Sequence, residues 1–182
     1  KSEKDLLVDP DEHPAGLDEA RFAGQDMGIA GLAVAEAALD HVAVAQREGV
    51  ADGSCLCGEV AYEVSAPVRM YHCHCGRCRR ARSAAHTTNM FSNLADFSFT
   101  RGEELVAQYK VPEALRFGVA FCTRCGGKVP RVSRERGVVV VPVGALDTDP
   151  GMRPQANIYV ASKAPWYEIT DGLPQYAEMP PA

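Results

Sequence analysis

From Gly53 to Val160 the hydrophobic residues fall in short runs interleaved with polar ones, the period of two that marks strands with one buried face. Val60, Tyr62 and Val64 alternate with Ala61 and Glu63, and Phe97 and Phe99 alternate likewise. The same reasoning predicts strands over 105–109, 117–121, 138–143 and 157–160. Gly102, Pro112, Gly126-Gly127, Gly137, Pro150-Gly151 and Gly172 punctuate them as turns. Residues 78–83 fit one short helical turn. This region is therefore predicted to be mainly β, built from several small antiparallel sheets, with no repeats and no alternation of strand and helix.

Upstream the period changes. Ile29, Leu32, Ala33, Ala35, Leu39, Val42 and Ala43 form an apolar stripe at helical spacing, with Asp26 as N-cap and Gly49 as stop. A helix is predicted over 26–48, packed on the following domain or on a second subunit, which makes a homodimer one expected assembly. Residues 1–25 are polar, carry Pro10 and Pro14, and read as a loosely packed arm. The expected division is thus an arm and helix over 1–50 and a domain over 51–182. The tail after Tyr176, with Pro180 and Pro181, is expected to fray.

Charge and composition narrow the partners. The 182 residues are 46% hydrophobic and 24% charged, enough to bury a core. A net charge of −5 gives no general attraction to nucleic acid or to an anionic membrane. The most apolar stretch, residues 28–44, is broken by Glu36, Asp40 and His41, so no membrane helix is expected. No secretory signal is visible.

The seven cysteines all lie between Cys55 and Cys125, in tight groups: Cys55 and Cys57, then Cys73, Cys75 and Cys78, then Cys122 and Cys125. An odd count at such spacing reads as metal ligation in a reducing, cytoplasmic compartment rather than as disulfides. Structural zinc takes four ligands, whereas reactive zinc keeps three and an open position. The pair Cys122 and Cys125, followed by Gly126-Gly127, is a zinc-knuckle signal that needs a second pair, and Cys55 and Cys57 supply it most simply. Cys73, Cys75 and Cys78 then form a three-thiolate site. Alternatively one of these three completes the knuckle, or His72, His74 or His86 closes the three-cysteine site. If all seven bind metal, no cysteine remains as a free nucleophile, and the open position would recruit the thiol from a substrate. Arg77, Arg79, Arg80 and Arg82 crowd the last ligand. They either balance the thiolate charge or dock an anionic substrate, Arg77, Arg79 and Arg80 being the expected binding residues. Glutathione, with two carboxylates and a thiol, satisfies both the metal and the arginines. Trp166 and Tyr167 either line the pocket or pack a turn in the core. Asp147 and Asp171 are either acid–base groups or, beside Gly and Pro, turn residues that favour Asp for backbone reasons.

These groups resemble the family of glutathione-dependent formaldehyde-activating enzymes, which includes centromere protein V. The resemblance rests on Gly53-Ser54-Cys55-Leu56-Cys57-Gly58, Cys73-His74-Cys75-Gly76-Arg77-Cys78-Arg79-Arg80 and Phe121-Cys122-Thr123-Arg124-Cys125-Gly126. The stretches Pro142–Asp147, Pro154-Gln155-Ala156, Lys163-Ala164-Pro165-Trp166 and Asp171–Tyr176 extend it. It implies a fold shared with methionine sulfoxide reductase B and translationally controlled tumour protein. It also implies structural zinc on Cys55, Cys57, Cys122 and Cys125, and catalytic zinc on Cys73, Cys75 and Cys78. The activity implied is that of a carbon–sulfur lyase joining formaldehyde to glutathione reversibly. Residues 1–50 stand outside this pattern, and Ala81-Arg82 replaces the Ser-Gly of many members. The competing expectations are a non-catalytic zinc module that binds a protein or nucleic acid, and a zinc enzyme acting on another thiol.

Overall fold

The computed structural model describes residues 49–181; the arm and the helix predicted over 26–48 lie outside the described residues. In chain order the elements are β1 (Val50–Ser54), β2 (Ala61–Ser65), β3 (Arg69–Cys73), α1 (Gly76–Arg82), β4 (Thr87–Asn93), β5 (Phe97–Arg101), β6 (Val106–Lys110), β7 (Gly118–Cys122), β8 (Lys128–Val129), β9 (Arg131–Ser133), β10 (Val138–Pro142) and β11 (Asn157–Ile158). Short 3-10 turns stand between several of them.

The strands form three sheets, in the orders β1-β2-β5, β11-β3-β4-β10-β9 and β6-β7-β8. Apart from the parallel pair β11–β3, every pairing is antiparallel. Alternation explains the first sheet: Tyr62 and Val64 of β2 point inward and are fully buried. They meet Met70 of β3, Met90 of β4 and Val139 and Val141 of β10, and Phe97 and Phe99 pack at the margin. Tyr62 is tolerated in this core because its hydroxyl donates to the Ala145 carbonyl at 2.7 Å. A second cluster, Cys55, Val60, Ala120, Cys122 and Val129, lies under the third sheet.

β3 and β4 were not legible as alternating strands. Arg69, Tyr71 and Cys73 share one face of β3, and Thr87, Asn89, Phe91 and Asn93 the corresponding face of β4. That face lines a groove rather than a core, so polar residues occupy positions that alternation expects to be apolar. α1 begins two residues earlier than the turn predicted over 78–83. The tail is held as far as Glu178: Tyr159 N–H donates to the Glu178 carbonyl at 3.1 Å and Val160 N–H to that of Tyr176 at 3.0 Å. The expectation of fraying after Tyr176 is therefore corrected, because the turn after β11 takes its backbone partners from that tail.

Candidate metal centres and active-site groove

The cysteines gather into two clusters. Cys55, Cys57, Cys122 and Cys125 come from the β1–β2 turn and the β7–β8 turn, and their sulfurs lie within 4.8 Å of one another. Cys55 and Cys57 sulfurs are 3.5 Å apart and those of Cys57 and Cys122 are 4.0 Å apart. Four sulfurs at ~2.3 Å from one tetrahedral zinc would stand about 3.8 Å apart, so the donor set fits that ion. Backbone amides support two of the sulfurs: Val60 N–H points to Cys55 Sγ at 3.3 Å and Gly127 N–H to Cys125 Sγ at 3.4 Å. The turn that permits this is built on glycine. Gly126 has φ +70, and a Cβ on Gly127 would stand 2.9 Å from the Leu56 nitrogen and 3.1 Å from Cys125 Sγ.

The second cluster is Cys73, at the end of β3, with Cys75 and Cys78. Cys75 caps α1, its sulfur accepting from the Cys78 N–H at 3.3 Å, and so the ligand spacing and the helix start are one feature. The Asn89 amide approaches Cys78 Sγ at 3.9 Å. The three thiols compete for protons. Hydrogen bonds from Cys73 and then Cys78 pull the Cys75 thiol well below the ordinary thiol range, while Cys73 and then Cys75 drive Cys78 up. One thiolate is favoured and further ionisation is opposed, a conflict that a dication resolves. Among the described residues no histidine, aspartate or glutamate joins this group as a fourth donor.

The histidines expected as alternative ligands gather elsewhere. Strand alternation turns His72 away from Cys73, and its Nδ1 lies 2.8 Å from Thr88 Oγ1. His74 is fully buried, with Nε2–H donating to Asn157 Oδ1 at 2.7 Å. Asn157 Nδ2 in turn donates to Asp171 Oδ1 at 2.8 Å, and Leu173 N–H donates to the same oxygen at 3.0 Å. Asp171 therefore orients a buried network behind the ligand loop. His86 stands 4.8 Å from His72 and 5.2 Å from His74, ring centre to ring centre, with Tyr167 beside it. Tyr167 thus packs against the histidines, whereas Trp166 is 72% exposed and belongs to no core.

All three cysteines of the second cluster line a groove of about 940 Å³ on the open face of the large sheet. Its cysteine end carries Arg77, Arg80 and Arg82, and its far end Arg69, Arg116, Arg131 and Arg136. The only carboxylate side chain in the described lining is Glu178. Arg79, expected to bind substrate, does not line the groove; α1 turns it aside and its Nε is buried without a hydrogen-bond partner. Arg82 lines the groove instead. Its Nε and Nη1 are likewise buried without partners, and burial lowers its proton affinity while Cys78 raises it. Tyr159, unremarked in the sequence, has φ 57 and lies at the same end. Its hydroxyl is held protonated above the usual range by burial and then by negative charge on Cys73. A strained backbone at such a position is common in functional sites.

A family model described as glutathione-dependent formaldehyde-activating enzyme matches residues 50–162, more than half of the chain. A crystal structure of a Rhodobacter sphaeroides protein is 26% identical, covers 57% of this chain and 97% of its own, and aligns with a TM-score of 0.43. No curated protein matches the chain. Among the described residues no helix is long and apolar enough to cross a membrane.

Proposed function

Because the chain belongs to the family of glutathione-dependent formaldehyde-activating enzymes, we propose that it is a zinc-dependent carbon–sulfur lyase that reversibly joins a small thiol, glutathione in the first instance, to formaldehyde. One observation carries the reading. Cys73, Cys75 and Cys78 face a groove, with no fourth protein donor among the described residues. Cys55, Cys57, Cys122 and Cys125 would hold a second, structural zinc, a closed four-cysteine set.

A zinc ion on the three cysteines supplies the Lewis acidity that ionises a substrate thiol near neutral pH. The chain's own residues supply position and protons. Arg77 and Arg80 at the mouth are exposed and can take carboxylates in bidentate geometry. Asn89 restrains Cys78. The substrate sulfur attacks the aldehyde carbon, a sulfur–carbon bond forms, and the carbonyl π pair moves onto oxygen. Tyr159, kept protonated at this end of the groove, donates to that oxygen and takes back from solvent the proton that the thiol gave up to solvent on ionising. The reverse reaction retraces these transfers.

The test is exchange NMR of formaldehyde and glutathione with S-(hydroxymethyl)glutathione. The two-zinc protein should accelerate exchange, and Cys75→Ser should abolish the acceleration while keeping one zinc. A parent protein that leaves the uncatalysed exchange rate unchanged would overturn the proposal.

A further inference from the structure

The groove extends well past the cysteines. Arg69, Phe91, Val140 and Arg131 stand opposite one another on β3, β4, β10 and β9, and all four line it. With strands ~4.8 Å apart, this row runs roughly 14 Å across the sheet. It is displaced four residues along β3 from Cys73, or about 13 Å at ~3.3 Å per residue. Backbone to backbone, Arg131 therefore lies about 19 Å from Cys73 along this diagonal of the sheet. A tripeptide spans only about 10 Å end to end. Glutathione bound through its sulfur at the cysteines would cover only about half of that distance, leaving the arginine side chain to bridge the rest.

The far end is nonetheless built for anions. Arg131 is half-buried, with Nη2 donating to the Arg116 carbonyl at 3.2 Å. Burial, then the charge of nearby Arg136, lowers its proton affinity. Arg134 pairs with Glu103 and Arg153 with Asp149, but among the described residues Arg116, Arg131 and Arg136 have no carboxylate partner. This concentration of positive charge stands in a chain whose net charge is −5. Between the two ends the register sets Thr87 and then Asn89 of β4; the apolar Phe91 and Val140 follow in the row itself, and Val138, Phe117 and Val119 also line the groove. Cations held together with no counter-charge are stabilised when an anion joins them, and guanidinium groups favour phosphate and carboxylate.

We propose that the groove receives a thiol longer than glutathione, whose neutral arm runs past Asn89 and along Phe91 and Val140 and ends in a multiply charged anion held by Arg116, Arg131 and Arg136. A pantetheine thiol bearing a nucleotide and an oligo-γ-glutamylcysteine peptide share this chemistry. The thiol end of the inference rests on the function proposed above; the arginine end stands on the groove itself.

Calorimetric titration of the two-zinc full chain tests it, with four probes: glutathione, coenzyme A, desulfo-coenzyme A and the peptide (γ-Glu-Cys)2-Gly. At least one of the longer thiols should bind tenfold or more tightly than glutathione, and the preference should weaken with added salt. In Arg131→Gln/Arg136→Gln the ratio should collapse to about one; Arg136→Gln alone, at an exposed side chain, should lower it and guards against misfolding of the double variant. Preference for coenzyme A identifies phosphate as the anion, and preference for the peptide identifies carboxylate. If no thiol engages the cysteines but desulfo-coenzyme A binds in an arginine-dependent way, the lyase proposal fails and the anion site stands. Longer ligands that bind no tighter than glutathione, or a gain that survives the double substitution, would overturn the inference.

Discussion

Asn157 joins the ligand loop to the rest of the domain, and its removal has a calculable cost. Its side chain accepts from His74 Nε2–H at 2.7 Å and donates to Asp171 at 2.8 Å, while its backbone bonds to Pro174 and Tyr176 survive truncation. His74 is fully buried and its Nδ1 already lacks a partner. Asn157→Ala would therefore strand both ring nitrogens. An orphaned buried donor costs about 1–3 kcal/mol. Asp171 is exposed, so water replaces its lost donor and adds at most about 1 kcal/mol. The sum is about 1–4 kcal/mol. For a urea m-value near 2 kcal/mol/M this lowers the midpoint by about 0.5–2 M. Urea unfolding of the zinc-loaded protein at fixed metal concentration reads it. Asn157→Asp should be at least as damaging, because it sets a second carboxylate against Asp171. The paired change His74→Phe with Asn157→Leu should recover part of the loss, since both polar partners vanish together. A midpoint within 0.3 M of the parent in Asn157→Ala (roughly the extrapolation uncertainty), with unchanged slope, would refute the reasoning.

Two further perturbations read other parts of the structure. Gly127→Ala places a methyl group 2.9 Å from the Leu56 nitrogen and 3.1 Å from Cys125 Sγ. It should cost about 1–3 kcal/mol and release the four-cysteine metal to a chelator first, whereas Gly126→Ala, strained by its φ but facing open space, should cost less. Retention of both metals by Gly127→Ala at parental affinity would contradict the knuckle geometry. His86 is held below the ordinary imidazole value of 6.5 by burial and then by His72 and His74. The native state resists its protonation while the unfolded chain takes up that proton, so its contribution to stability is complete above about pH 6.5 and is lost as pH falls below it. His86→Gln should unfold with a shallower pH dependence between 6.5 and 5, by up to one proton; identical slopes in the two proteins would exclude the contribution.

The β character and the two cysteine groups were legible because each rests on local spacing. Tyr62 and Val64 alternate into one core and Val60 into the second, and Cys122 and Cys125 flank one turn. β3 and β4 were opaque because their open face lines a groove with Arg69, Asn89 and Asn93, so burial there follows the ligand site rather than hydropathy. The remote arginines could not be read as part of the site either. Arg131 meets Val140 and Phe91 only through the register of β9, β10 and β4, and no sequence interval encodes that. Arg79 and Arg82 lie three residues apart on α1, yet Arg82 and not Arg79 lines the groove, a difference that helical spacing does not predict. His74 sits between two ligands, a position that already reads as pointing away from the metal, and the structure seats it on Asn157.

The central claim is that Cys73, Cys75 and Cys78 leave a coordination position for a substrate thiol. Cobalt substitution tests it most directly, because thiolate-bound tetrahedral cobalt has strong visible bands that shift on ligand exchange. Titration of the cobalt protein with glutathione should give a saturable shift that disappears in Cys75→Ser. A parent spectrum that stays unchanged up to high glutathione and coenzyme A concentrations would mean that the three-cysteine site takes no thiol, and would contradict the account.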